Sequence, residues 1–592
     1  MQSMLKRKVI VRQKRKLEEN SEPGPSGKVQ KLMHEYTKCH QAQASKLISE
    51  MVVSCSLPLS IVEKDSFKKM IFQISGGNCH SITRKTLSKS IDTQFEKFQY
   101  ELKEEVKKVD YCCTTADVWS NTKRSFMGMT LHTIDPNTLK RKSYPIACER
   151  FYGRHTFDKV AEIIVNIHNQ YDLSTSKVTK VITDNGSNLV KAFKLFGVKS
   201  LTVMDGGQCE EIFEDSDNED EEGDDIELIS IPEEDTNGTF VTWNQDIIYE
   251  LPSREKCFAH TMSLICTTDI KKVNTFPFQY RRIAGPTGTA MGKVVALWNK
   301  TNRPRSSEII VEGFGRSIER PCPTRWNSEY DCLVSLLSFS FDQINKVLDD
   351  LQLLKLSKDE FDFLSEYKKC LAPIANAIDK CQSECDCFYG YAIPILQKVR
   401  KEMILIQNQE LKCCQSIVAC LLSSLTKRFR PFYDQDQSVM DALIATVSHP
   451  KFKFSKILES RKSDVKQQLE KVSEEMLDLS QSKPHDEAFI KDDYFDDSDE
   501  EDQNSATKNT KDVASLEVLQ YMNDPDTSLQ MLHRYPVIKR IFLKYNSALI
   551  SSAPVERLFS FGSIILQGRR GRLTDKNFEK LLLLKAFSSM NK

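Results

Sequence analysis

The sequence of 592 residues lacks the marks of a membrane or exported protein. Every apolar run falls short of the roughly 20 residues that a helix needs to cross a bilayer, so we expect a soluble protein with no membrane partner. No apolar signal-peptide core follows the N-terminal charges, so we expect the 18 cysteines to be free thiols rather than disulfides.

Net charge is also lacking, because 83 basic residues balance 83 acidic ones. The acid is nevertheless concentrated: residues 210–235 hold fifteen Asp and Glu without any Lys or Arg, and residues 486–502 hold ten acids and one Lys. Without these tracts the chain has an excess of about 24 positive charges, which favours DNA as a partner because bound phosphates release counterions. The tracts are either solvated linkers, the interpretation we favour, or segments that compete with DNA for the basic surface.

A basic cluster opens the chain within residues 1–40. Its Lys and Arg side chains occupy positions 6, 7, 8, 12, 14, 15 and 16 and precede a stretch rich in Glu, Ser, Pro and Gly. This composition is typical of a disordered nuclear-import arm, which predicts a location in the nucleus, and equally of a solvated basic tail.

The order of elements after this arm predicts the fold. Residues 41–108 show helical periodicity and are expected to form a small helical, DNA-binding-like domain. Three β-rich runs then predict an antiparallel meander: Tyr111–Trp119, Ser125–Ile134 and Lys142–Phe151. A helical segment, Phe157–Tyr171, and a short strand, Val178–Thr183, follow, with another helix after them. The order β-β-β-α-β-α is that of a ribonuclease-H-like fold, in which the fourth strand lies beside the first.

This order places two carboxylates at useful positions. Asp117 lies on the first predicted strand and Asp184 at the carboxyl end of the fourth, so adjacent strands would bring the two acids together. Such acids repel each other unless a divalent cation lies between them, and Mg²⁺ prefers hard oxygen ligands. Ions paired across a phosphodiester activate the attacking oxygen and stabilise the leaving one. A capping role at the helix that starts near Ser187 explains Asp184 nearly as well.

The second half of the chain is predicted to be mainly helical. Residues 328–534 form an all-helical insertion domain, interrupted by the acidic tract 486–502. Its clearest helical segments are Tyr330–Phe339, Phe341–Leu353, Asp359–Leu371, Tyr391–Ile406 and Cys414–Phe429. The remaining predicted parts are a first core segment (109–208), an acidic disordered insertion (209–240), a core continuation (241–327) and a C-terminal region that completes the core (535–592). The expected fold class is α/β plus all-α, with a mixed-sheet core interrupted by the helical insertion.

The C-terminal region carries the most specific motif. Ser551–Ser560 (SSAPVERLFS), followed by Arg569–Leu573 (RRGRL) and the leucine-rich Phe578–Phe587, resembles the C-terminal dimerisation region of the hAT DNA-transposase superfamily. Four further segments resemble motifs of that family in the same order: Thr115–Ser120 (TADVWS), Thr183–Asn188 (TDNGSN), Cys257–His260 (CFAH) and Thr324–Ser328 (TRWNS). Each match is weak by itself, but five in order are a specific signal.

The resemblance implies a DDE-type nuclease whose acidic triad is Asp117, Asp184 and Glu556, with Mg²⁺ or Mn²⁺ as cofactor if the chain is catalytically active. By itself, Glu556 is better explained as a first-turn acid that favours the helix dipole. The resemblance also implies a homo-oligomer, at least a dimer, through the C-terminal region. The apolar residues there that suggest self-association, or else packing on the chain's own insertion domain, are Leu573, Phe578, Leu581, Leu582 and Leu584.

The candidate DNA contacts are Trp119, His260, Arg325, Trp326 and Arg557. In active relatives the motif tryptophans stack on a displaced base, and core packing is the alternative for both. Cys257 and His260 alone lack the two further ligands of a structural zinc site, so no structural zinc is predicted, and we place His260 near the site, supporting DNA or a carboxylate. For Arg557 we favour an ion pair with a neighbouring acid over a contact with the scissile phosphate.

The sequence departs from the family pattern at its front. Many relatives begin with a BED zinc finger, and the Cys and His residues before position 100 have spacings that cannot build one. Two functions therefore remain open: an active transposase, and a domesticated, non-catalytic DNA-binding protein of chromatin or transcription. The intact acids favour the first, whereas the missing zinc finger and the acidic tracts favour the second.

Overall fold

The computed structural model describes residues 40–121, 124–197, 249–272, 289–322, 325–481, 503–566 and 573–590. The predicted basic arm, apart from residue 40, both acidic tracts and the Arg569–Arg572 part of the C-terminal motif lie outside the described residues. No helix of the described part is both long and apolar enough to cross a membrane.

Besides short 3₁₀ turns, the helices and strands follow one another in a fixed order. They are α1 (Gln41–Ser54), α2 (Asp65–Ile74), α3 (Arg84–Lys107), β1 (Cys112–Asn121), β2 (Arg124–Ile134), β3 (Arg141–Phe151), α4 (Phe157–Gln170), β4 (Val178–Thr183), α5 (Ser187–Phe196), β5 (Arg254–Lys256), α6 (Phe258–Thr267), α7 (Ala290–Lys300), α8 (Pro304–Phe314), α9 (Ser328–Leu336), α10 (Phe341–Asp350), α11 (Lys358–Cys381), α12 (Ala392–Gln407), α13 (Gln415–Arg428), α14 (Arg430–Asp434), α15 (Met440–Ser448), α16 (Lys462–Gln481), α17 (Gln503–Asn523), α18 (Pro536–Tyr545), α19 (Ala553–Ile565) and α20 (Asp575–Met590).

The described residues divide into two compact units, a smaller one from residues 40–101 and 562–589 and a larger one from residues 102–561. The smaller unit is helical, and its N-terminal helices share a core with α20, the last helix of the chain. The rings of Phe98 and Phe587 lie 4.9 Å apart, and Lys580 Nζ pairs with Asp92 Oδ1 at 2.6 Å. The C-terminal region is therefore divided between the units, instead of completing one core as predicted.

The larger unit contains one five-stranded mixed sheet in the order β3-β2-β1-β4-β5. The strands β1, β2 and β3 are antiparallel, and β4 runs parallel to β1 after the crossover through α4. The predicted meander and the predicted adjacency of the first and fourth strands are therefore confirmed. The strand β5, parallel to β4, is not predicted from the sequence, because three residues are too few to show an alternating pattern.

Helices make up the rest of the larger unit, and local sequence sets many of their starts. Ser340 and Ser357 form capping boxes at the first turns of α10 and α11, and Pro536 begins α18. The prediction is wrong at Leu371, where we end a helix ahead of a proline, because α11 continues through the buried Pro373 to Cys381. The packing of a 24-residue helix outweighs the loss of one backbone hydrogen bond at the proline.

A buried arginine joins the sheet to the end of α18. Arg141, at the start of β3, is 8% exposed, and its guanidinium donates to the carbonyls of Asn546 (2.7 Å) and Ser547. Carbonyls at a helix C-terminus carry partial negative charge, so a cation is favourable there. Asn546 also donates to the carbonyl of Ala445 at 3.0 Å and accepts from the amide of Gly390 at 2.9 Å. One turn thus connects the sheet with two parts of the helical region.

Candidate carboxylate site

The parallel pair β1 and β4 determines where the two aspartates lie. Asp117 is on β1, directly opposite Gly128 of β2, and Asp184 follows the last residue of β4. Both side chains are half-buried. Asp117 Oδ1 accepts from the Val118 amide at 2.7 Å, and Asp184 Oδ1 accepts from the Gly186 amide at 3.0 Å. The capping alternative for Asp184 is wrong as stated, since Gly186 is the N-cap of α5 and Asp184 instead closes the turn before it.

Glu556 comes from the far end of the chain and joins these acids. It lies in the first turn of α19 and is half-buried. Burial raises the pKa of Glu556 to about 8, the nearby Asp184 adds to the rise, and Arg557 opposes it. The pKa of Asp117 is raised well above its usual range by burial and then by the charges of Asp184 and Glu556, against a hydrogen bond from Val118 that lowers it. The three acids are therefore close enough to repel one another.

These carboxyl groups are coupled without forming a finished ligand set. Among the residues that the structure describes, no group of three or more His, Cys, Asp and Glu side chains is arranged to hold a metal ion. The donor chemistry still fits a hard divalent cation, because three carboxyl groups offer oxygen ligands only, and their mutual repulsion would be relieved by positive charge.

Trp119, two residues after Asp117 on β1, lies in an aromatic cluster beside the acids. Its ring is stacked with Phe126 at a centroid distance of 5.9 Å and with Phe559 of α19 at 5.7 Å. These contacts correspond to the core-packing alternative for Trp119. Stacking of Trp119 on a DNA base stays a prediction.

Two other predicted DNA contacts meet each other. The rings of His260, on α6, and Trp326 lie 6.5 Å apart in an edge-on arrangement. Arg325 is exposed, and Thr324 of the same motif lies outside the described residues. The amide Nδ2 of Asn327 donates to the Ala375 carbonyl at 2.8 Å and to Asp379 Oδ1 at 2.7 Å, which anchors this segment on α11.

Arg557 forms the ion pair that we favour for it from the sequence. Its Nε donates to Glu384 Oε1 at 2.8 Å, and its Nη2 donates to the Gln382 carbonyl at 3.0 Å. The arginine side chain is 42% exposed and the glutamate 15%. The pair therefore attaches the start of α19 to the segment that follows α11.

The sequence interpretation missed the role of Cys257. Its buried sulfur accepts from the amides of His260 (3.4 Å) and Ser552 (3.3 Å) and lies 3.7 Å from Ser551 Oγ. Burial raises the pKa of the Cys257 thiol, so the thiol stays protonated at neutral pH. Cys257 thus connects the start of α6 to the residues that lead into α19 and Glu556. Its place in a family motif is the only signal in the sequence for this role.

The leucine-rich segment is not an exposed apolar face. Phe578 and Leu582 are fully buried, Leu581 and Leu584 are 5% and 8% exposed, and Leu573 is half-buried. The inference that they leave a large apolar surface is wrong, and so is the alternative of packing on the insertion domain. Their helix instead packs within the smaller unit. Self-association stays a prediction that these side chains do not support.

Comparison with known proteins adds no relative, because no family model and no curated protein matches the chain. The hAT resemblance therefore depends on the motifs quoted above. The candidate site depends on the three carboxyl groups and on the elements that hold them.

Proposed function

We propose that this chain is an hAT-type DNA-processing protein with a ribonuclease-H-like core, which cleaves phosphodiester bonds with Mg²⁺ or Mn²⁺ in the nucleus. The observation that carries the proposal is the meeting of Asp117, Asp184 and Glu556, contributed by β1, the end of β4 and α19. The hAT resemblance selects the same three acids.

The meeting of these acids is unfavourable for the fold alone. Burial and like charge both penalise the ionised forms of Asp117 and Glu556, so the arrangement costs stability at neutral and alkaline pH. Unfavourable groups of this kind cluster at functional sites, where the strain serves chemistry. A structural explanation would require a nearby cation to balance them, and Arg557 is already paired with Glu384.

The three acids would hold the divalent cation. When bound, the cation would activate the attacking oxygen and stabilise the leaving oxygen of the phosphodiester. Because the pKa of Glu556 is raised to about 8, this side chain is mostly protonated at pH 7 and must lose its proton to act as a ligand. Cation binding is therefore expected to release a proton and to strengthen as the pH rises towards 8.

DNA is the proposed substrate because of charge and of the predicted contacts near the acids. The excess of about 24 positive charges outside the acidic tracts suits a polyanion. The pair His260 and Trp326, with the exposed Arg325, offers aromatic and cationic groups suited to an unpaired strand. Both supports concern binding, so they fit the catalytic and the non-catalytic protein alike.

The deciding experiment is metal-dependent cleavage of radiolabelled DNA from the flanks of the gene. Wild type should cleave with Mg²⁺ or Mn²⁺, and Asp184→Asn and Glu556→Gln should each lose activity by at least about 100-fold while still binding DNA. Asp158→Asn, an exposed acid on α4, is the matched control and should cleave like wild type. Binding without cleavage by wild type would reject catalysis and leave the domesticated DNA-binding protein as the function.

A further inference from the structure

A glycine faces the first acid of the site across the sheet. Gly128 of β2 is buried and is the register partner of Asp117 on β1. Directly opposed residues of an antiparallel pair point to the same face, about 4.5–5.5 Å apart at Cβ. The missing side chain of Gly128 therefore leaves a gap on the face that carries the Asp117 carboxyl group.

The helix that carries Glu556 fills this gap. A Cβ atom added to Gly128 would lie closer than 3 Å to the ring carbons Cε1 and Cζ of Phe559, and 2.9 Å from Val555 Cγ2. Both side chains belong to α19 and flank Glu556, one residue before it and three residues after it. Residues three apart share a helix face, so the contact that fits into the Gly128 gap is adjacent to the carboxyl group of Glu556.

The aromatic cluster restricts movement of the same helix along the sheet. Phe559 stacks on Trp119 at 5.7 Å, and Trp119 stacks on its cross-strand partner Phe126 at 5.9 Å. With aromatic rings beside Phe559, an added methyl group at Gly128 would push α19 outwards from the sheet. Contact between carbon atoms is optimal at about 3.5–4.0 Å, so the outward shift would be on the order of 1 Å.

We propose that Gly128 is a positioning residue for the carboxylate site: its missing side chain lets Phe559 seat against β2 and thereby sets how closely Glu556 approaches Asp117. The inference rests on the proposed function for its purpose, since close approach of acids serves cation binding. Its geometric content, the dependence of the Asp117–Glu556 distance on Gly128, can be tested without metal or DNA.

The test is a double-mutant cycle of Asp117→Asn and Glu556→Gln, measured from urea unfolding at pH 9 without metal. In the Gly128→Ala background the coupling between the two acids should fall to less than half of its wild-type value. Adding Phe559→Leu to that background removes ring atoms from the clash and should restore the coupling. Phe561→Leu makes the same chemical change two residues further along α19 and should restore nothing.

A second control separates positioning from general overpacking. Gly313→Ala creates a similar clash, because an added Cβ would lie closer than 3 Å to Val347 Cγ2 in the helical region. This variant should lose stability and keep the wild-type coupling. Unchanged coupling in Gly128→Ala, or equal rescue by Phe559→Leu and Phe561→Leu, would overturn the proposal. If Gly128→Ala does not fold, Phe559→Leu should restore folding, and its failure to do so would overturn the proposal too.

DNA cleavage links the geometry to function. Gly128→Ala should lower kcat by roughly 10–100-fold with unchanged DNA affinity, and Phe559→Leu should recover most of this loss. If wild type does not cleave DNA, the proposed function fails, whereas the coupling measurement still decides the role of Gly128.

Discussion

Replacement of Glu556 by Gln should stabilise the protein, and the gain should grow with pH. The folded state raises the pKa of Glu556 from 4.5 to about 8, so between these values the folded state binds more protons than the unfolded one. Stability must then fall as the pH rises through this window. Gln resembles the protonated acid in shape and carries no charge, so the variant escapes the loss.

The size of the effect follows from the shift. Each pKa unit corresponds to about 1.36 kcal/mol, which gives an upper limit of about 5 kcal/mol above pH 8. Glu556 is half-buried, and solvent screening reduces the effect, so we expect a gain of about 2–4 kcal/mol at pH 8.5. At pH 5 the acid is protonated in the folded state and largely so in the unfolded one, and the gain should be below about 1 kcal/mol.

Urea unfolding of wild type and Glu556→Gln at pH 5, 7 and 8.5, in the presence of a chelator, measures the trend. Ser560→Ala, a change without a titrating group at an exposed site one turn along α19, should give a difference from wild type that is constant with pH. A constant difference for Glu556→Gln as well would refute the reasoning, because it would mean that Glu556 ionises in the folded protein as it does in the unfolded chain.

Three further predictions concern the framework around the site. Arg141→Met should lower the free energy of unfolding by about 3–5 kcal/mol in urea unfolding, because buried carbonyls at the end of α18 lose a charged donor. Leu582→Ala should cost about 2–5 kcal/mol and increase hydrogen exchange in α1 to α3, with no change in sedimentation if the residue packs only within its own chain. Cys257→Ala should lose about 1–3 kcal/mol by leaving the buried Ser552 amide without its acceptor, whereas Cys257→Ser should retain part of this stability in the same assay.

The sheet could be predicted because each of its main strands has a local signal. Period-two patterns and short connections predict β1 to β3, and the crossover through α4 predicts that β4 lies beside β1. The proximity of Asp117 and Asp184 follows from that topology alone, since both occur where neighbouring parallel strands run in the same direction.

The helical ends were harder to predict because they depend on distant packing. Local rules stop a helix before Pro373, but burial along α11 carries the helix through it. The same limit applies to α20. A leucine-rich helix must be covered by something, and its pattern is identical whether the cover is a second chain, the insertion domain or the N-terminal helices. Only the folded arrangement, with Phe587 against Phe98, distinguishes these cases.

Glu556 shows the limit most clearly, because 372 residues separate it from Asp184. Its local sequence predicts only a first-turn acid, a position that it indeed occupies. What brings it to the aspartates is a set of contacts with no signal of their own in the sequence: the Cys257 sulfur that holds the Ser552 amide, and the Gly128 gap that receives Phe559. A cysteine and a glycine are common in buried strands and helix starts, so neither residue type reveals the contact. The site therefore depends on residues whose importance lies in what packs against them, and a change at either should alter the three acids without touching one of them.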